Sequence, residues 1–175
     1  MSINHFLDVK ILEKYREQAA SGISIGDVLK ALSEFMECVR YLNTRRSNTT
    51  LQLDNEGAVQ DALYLMLRPW IADIIPESPS NKIANRYSIK DFLIPSLKTV
   101  IEVKFIRDAS HGKNVVQEIN DDIETYRYHA LCDHLIFFIY DSEVLIPDRL
   151  QLEKHINGKR NYTEKTLQCY SIIRP

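Results

Sequence analysis

Tyr87-Ser88-Ile89-Lys90-Asp91-Phe92-Leu93-Ile94, then Pro95-Ser96-Leu97-Lys98, then Thr99-Val100-Ile101-Glu102-Val103-Lys104-Phe105 is the stretch on which the fold turns. Two runs rich in Ile, Val, Phe and Leu flank a short proline-containing turn, which is the pattern of a β-hairpin. Three charged groups interrupt these sheet-like runs. Side chains alternate faces along a strand, so Glu102 and Lys104 share one face while Ile101, Val103 and Phe105 take the other. With Pro95 to Lys98 as the loop, Ile94 faces Thr99, and counting back pair by pair sets Asp91 opposite Glu102.

Directly opposed residues have Cβ atoms about 4.5–5.5 Å apart, where two carboxylates repel unless a cation lies between them. Lys104 offsets part of that charge, and a divalent metal would offset more. Two carboxylates completed by water and a phosphate oxygen suit Mg²⁺ or Mn²⁺. Such an ion would polarise a phosphodiester, while Lys104 would orient or help deprotonate the attacking water. The alternative is a merely solvated strand face. Against it, the run 99–106 is apolar on one side and mixed on the other, as in an interior strand carrying an embedded site.

Outward from the hairpin the order is α/β. Apolar residues at helical spacing predict amphipathic helices over 4–20 (Phe6, Leu7, Ile11, Leu12, Tyr15) and 25–42 (Val28, Leu29, Leu32, Phe35, Met36, Val39). The polar stretch 43–55 reads as a linker. A third helix over 55–68 follows, with Glu56 in its first turn and Pro69 stopping it. Strands are predicted over 84–94 and 99–106, a polar loop over 107–113, a helix over 114–129, a buried strand over 134–140 and a last strand over 166–173. This divides the chain into a helical extension, residues 1–45, suited to packing or oligomerisation, and an α/β domain, residues 54–175.

The remaining features mostly exclude. With 22 Lys and Arg against 24 Asp and Glu, no global field draws the chain to nucleic acid or an anionic membrane. Its longest apolar run, Leu135 to Tyr140, is far short of a membrane span, and no basic-then-apolar leader opens it. Cys38, Cys132 and Cys169 are odd in number and widely spaced, which suits a reducing cytoplasm. Zinc held by Cys132 with His129 or His134 lacks a second ligand pair at a finger spacing. Neither a Walker loop, a Gly-x-Ser-x-Gly elbow nor a His-Glu-x-x-His helix occurs.

Asp91, ten intervening residues, then Glu102-Val103-Lys104 resembles the signature of the PD-(D/E)XK nuclease superfamily, and the element order over residues 54–141 is similar to its core. The resemblance implies a restriction endonuclease-like mixed sheet flanked by helices. It implies Asp91 and Glu102 as metal carboxylates, Lys104 as the catalytic lysine and the Val103 carbonyl as a further metal ligand. Glu56 matches the acidic residue many members carry on the preceding helix, although a first-turn glutamate is also favoured by the helix dipole. Gln117 resembles a supporting glutamine of some branches, or faces solvent. Lys90 stands where the signature has proline. The Gln-x-x-x-Tyr motif of some exonuclease branches is absent: position 121 is Asp, and Tyr126 instead follows Asp122 by four.

Between Lys82 and Lys113 seven basic residues face three acidic ones, a local excess of four positive charges in a chain of net charge -2. Lys98, Arg107, His111 and Lys113 are therefore candidates for phosphate contact. The expectation is a Mg²⁺- or Mn²⁺-dependent nuclease acting on DNA rather than RNA, in prokaryotic restriction, defence or repair, with residues 1–45 closing a homodimer or docking a partner subunit. The competing reading is a non-catalytic module of the same fold that binds nucleic acid or a protein.

Overall fold

The computed structural model describes residues 22–44, 50–79 and 89–175. The helix expected over 4–20, the middle of the linker and the first part of the strand expected over 84–94 lie outside the described residues. Ser24 opens helix α1 (Ile25–Ser33) with a capping box: its hydroxyl accepts the Asp27 N–H, and the Asp27 carboxylate accepts the Ser24 N–H. The single helix expected over 25–42 is two, because α1 ends before Glu34 and α2 (Phe35–Thr44) restarts after it. Ser33 donates its hydroxyl to the Leu29 carbonyl at 2.8 Å, a back-bond that bends helices. The apolar stripe crosses the break intact, with Val28, Leu32, Phe35 and Val39 all buried. Helix α3 (Glu56–Leu67) starts as expected behind Asn55, whose side chain accepts the Ala58 N–H.

Six strands follow: β1 (Ile75–Pro79), β2 (Ile89–Ile94), β3 (Thr99–Phe105), β4 (His134–Tyr140), β5 (Gly158–Asn161) and β6 (Thr166–Arg174). They form one sheet in the order β1-β2-β3-β4-β6-β5. The first three strands are antiparallel neighbours, β3, β4 and β6 run parallel, and β5 returns antiparallel to β6. The parallel steps require crossovers, supplied by α4 (Ala109–Tyr126) between β3 and β4 and by α5 (Arg149–Ile156) before β5 and β6.

Alternation along the strands splits the core into two layers. Leu93, Val100, Leu135 and Phe137 meet Val115, Ile119 and Ile123 of α4 and Leu152 and Ile156 of α5. On the other face Phe92, Ile101, Val103 and Phe138 meet α3 through Val59 and Leu63, and meet α1 and α2 through Val28, Leu32 and Phe35. The architecture is α/β/α, and α1 and α2 share one apolar layer with α3.

Three elements escaped the sequence: β1, α5 and β5. Strand β1 carries Pro76 and Pro79, tolerable because it is an edge. Helix α4 starts at Ala109 rather than near 114, because Asp108 caps it by accepting the His111 N–H at 2.8 Å, so most of the expected loop 107–113 is helical. It ends at Tyr126, three residues early. No helix among the described residues is long and apolar enough to cross a membrane.

Candidate active site

The site lies where two strands part. The β2–β3 ladder has the expected register through Ile94↔Thr99, Leu93↔Val100 and Phe92↔Ile101, and stops there. Strand β2 continues as far back as Ile89 in pairing with β1. Asp91 is thus not a ladder partner of Glu102; its carboxylate replaces the missing backbone acceptor and takes the Val103 N–H at 2.7 Å. The N–H and C=O of one strand residue point to the same side, so the Val103 carbonyl is also directed toward the parting of the strands. Leu93 packs in the α4 layer and Phe92 in the opposite one, which by alternation sets Asp91 on the α4 side.

Val100 belongs to that same layer, so Glu102 and Lys104 face α4 as well, and that helix supplies partners for both. Tyr126 donates its hydroxyl hydrogen to Glu102 Oε1, and Asp122 Oδ2 lies 2.8 Å from Lys104 Nζ. Lys104 Nζ is also 3.9 Å from Glu102 Oε2. Glu102 is only 5% exposed, so these contacts sit in a low-dielectric setting where charge is expensive.

Burial pushes the Asp91 carboxyl up to about 6, and the charges of Glu56 and Asp122 add to this against the Val103 N–H and Lys104. Glu102 is raised well above the usual carboxylate range, first by burial and then by the charges of Asp91 and Asp122. Asp122 is also raised by burial, in spite of Lys104. For Lys104, burial favours the neutral amine but is outweighed by Asp122 and Glu102, so the ammonium is held protonated. Beside Asp122, Lys104 is placed as a cation and hydrogen-bond donor facing the carboxylates.

Glu56 is exposed on the first turn of α3 and, with Asn55, Phe105, Arg107, His111 and Glu118, lines a cleft of about 420 Å³. Of the cleft's other lining residues, Phe105 follows Lys104 directly on β3. His111 is within α4 rather than in a loop, with Nε2 3.2 Å from Glu118 Oε1. The other expected residues lie elsewhere. Lys98 caps the far end of β3, about 20 Å from Lys104 at the strand rise of ~3.3 Å per residue, and pairs with Asp133. Lys113 lines a separate cleft with Pro147 and Asp148. Gln117 is exposed and donates to Asp121 at 2.9 Å.

Asp122 and Tyr126 are the functional candidates the sequence reading did not assign. Their spacing of four was visible, but only the crossover of α4 over β3 reveals what it meets. The donors present fit a hard divalent cation: the carboxylate oxygens of Asp91 and Glu102, whose carboxyls are raised first by burial, and the Val103 carbonyl, with Lys104 beside them. Among the described residues no three His, Cys, Asp or Glu side chains group so as to hold a metal ion.

A mixed sheet flanked by helices, with an acid-rich site where its second and third strands part, defines a restriction endonuclease-like α/β domain. The family model DpnII-MboI, described as REase_DpnII-MboI, matches residues 26–174. The chain belongs to the DpnII-MboI restriction endonuclease family. The match takes in α1 and α2 together with the sheet, in keeping with their shared core. No curated protein and no solved structure matches the chain.

Proposed function

We propose that the protein is a metal-dependent DNA endonuclease of the PD-(D/E)XK type, working in restriction or defence. The observation that carries this reading is the convergence of Asp91, Glu102 and Lys104 on one face at a parting of strands, beside an open cleft, in a chain of a restriction endonuclease family. Asp91, Glu102 and the Val103 carbonyl would hold Mg²⁺ or Mn²⁺, with Glu56 at the margin. Such an ion supplies positive charge against the phosphate oxygens and makes water more acidic.

The protein's own residues perform the rest. Lys104, kept as an ammonium by Asp122, donates to the attacking water and offsets the charge that grows on the phosphoryl oxygens. Arg107 and His111, which line the cleft with Glu56, contact the phosphate backbone and fix its register.

The test is incubation of supercoiled plasmid and of RNA with the wild type, Glu102→Gln and Lys104→Ala, in Mg²⁺, in Mn²⁺ and in chelator. Metal-dependent nicking or linearisation by the wild type alone supports the reading. Equal cleavage by the folded variants, or cleavage in chelator, rejects it.

A further inference from the structure

Helix α4 and strand β3 meet in matching steps. Two residues along a strand advance about 6.6 Å and four along a helix about 6 Å, so a Glu-x-Lys pair on the strand aligns with an Asp-x-x-x-Tyr pair on an overlying helix. The order of the contacts is reversed, as a crossover helix running back along its sheet requires: Tyr126 reaches Glu102, and Asp122 reaches Lys104. Each of the two charged groups on β3 has its own brace from one face of one helix.

That face cannot slip. Ile119 and Ile123, on the same side of α4, are buried in the core, and Tyr126 is fully buried. The end of the helix is tied down by Lys165 from the loop between β5 and β6, whose ammonium donates to the carbonyls of Tyr126, His129 and Cys132 at 2.8, 2.8 and 2.7 Å. A cation at a helix C-terminus satisfies carbonyls that have no intrahelical partner.

From this geometry we infer that Tyr126 and Asp122 are positioning residues of the proposed nuclease centre, Tyr126 fixing the rotamer of Glu102 for the metal and Asp122 holding the Lys104 ammonium toward the phosphate. The inference rests on the proposed function and adds to it two residues outside the Asp-x(n)-Glu-x-Lys pattern. Outer partners of this kind typically carry a 10- to 100-fold effect on metal affinity or activity when removed.

Two measurements on the full chain separate positioning from general stability. Calorimetric titration with Mn²⁺ alone reads the Glu102 arm: Tyr126→Phe, which loses one oxygen, weakens binding about 10-fold or more. Steady-state plasmid cleavage reads the Lys104 arm: Asp122→Asn lowers kcat at least about 10-fold with KM unchanged or lower, since it removes negative charge near the DNA. Asp121→Asn, an exposed neighbour on the same helix, serves as the matched control and behaves as the wild type, and thermal unfolding verifies that each variant is folded. Unchanged Mn²⁺ affinity in Tyr126→Phe, or a loss in Asp122→Asn confined to KM, overturns the inference. A wild type that neither binds Mn²⁺ nor cleaves overturns the proposed function beneath it. A wild type that binds Mn²⁺ without cleaving still reads the Tyr126 arm.

Discussion

Asp91→Asn is expected to stabilise the metal-free protein at the pH where it abolishes cleavage. The Asp91 carboxyl rises from its ordinary 3.8 to about 6 on folding, chiefly because it is buried, with Glu56 and Asp122 adding their charge. At 1.36 kcal/mol per pKa unit, ionising it in the folded state costs up to about 3 kcal/mol. Below about pH 4 the group is protonated in the folded and unfolded chains alike and contributes nothing. Between about 4 and 6 only the folded chain holds the proton, so stability falls as pH rises through this window. Above about 6 the carboxyl is ionised in both states and the cost is complete. Asparagine keeps an oxygen for the Val103 N–H and removes the charge. Urea denaturation without metal is expected to find Asp91→Asn more stable than the wild type by about 1–3 kcal/mol at pH 7.5, with the gap closing as pH falls toward 4. A gap of opposite sign at pH 7.5, or one independent of pH, would refute the claim that Asp91 is held ionised at a cost. Added Mg²⁺ should narrow the gap by stabilising the wild type selectively.

Other positions give sharper structural tests. Asp141 is fully buried after β4, accepts the Leu145 and Ile146 N–H groups at 2.7 and 3.2 Å and pairs with Arg149 at 2.9 Å. Asp141→Ala leaves those donors without an acceptor and should cost about 3 kcal/mol, or about 6–12 °C in Tm by calorimetry. A Cβ on Gly112 would come within 2.5 Å of the Leu145 carbonyl oxygen. Gly112→Ala should therefore destabilise by about 1–3 kcal/mol, where an unobstructed helical site would gain about 1 kcal/mol. Val144 has φ of 58° while 62% exposed, an unfavourable conformation for a β-branched residue. Val144→Gly should raise stability by up to about 1 kcal/mol in the same assay.

What was legible in the sequence follows from the range of the interactions involved. The hairpin register could be counted because loop length and strand alternation are local, and three ladder pairs bear the count out. The ladder could not be seen to end one pair before Asp91, since beyond that point β2 pairs with β1 and not with β3. Strand β1 itself looked like a loop because two of its five residues are proline. The start of α4 is hidden in the sequence because Asp108 and Gly112 resemble loop residues. In the fold the first is a cap, and the second permits close approach to Leu145. Helix α5 and strand β5 are short and largely polar, with packing decided by Asp141, Arg149 and the core beneath them. Asp122 and Tyr126 were visible as a spacing, but their partners lie some 20 residues back, across a crossover that periodicity does not describe.

The most direct test of a metal-dependent nuclease centre at Asp91, Glu102 and Lys104 is the single-turnover rate of DNA cleavage as Mg²⁺ is titrated, for the wild type and for Asp91→Asn. The account expects a saturating rise for the wild type, none in chelator, and a flat line for the variant in spite of its greater stability. Cleavage without metal, or a variant rate that rises with Mg²⁺ as the wild type's does, would contradict it.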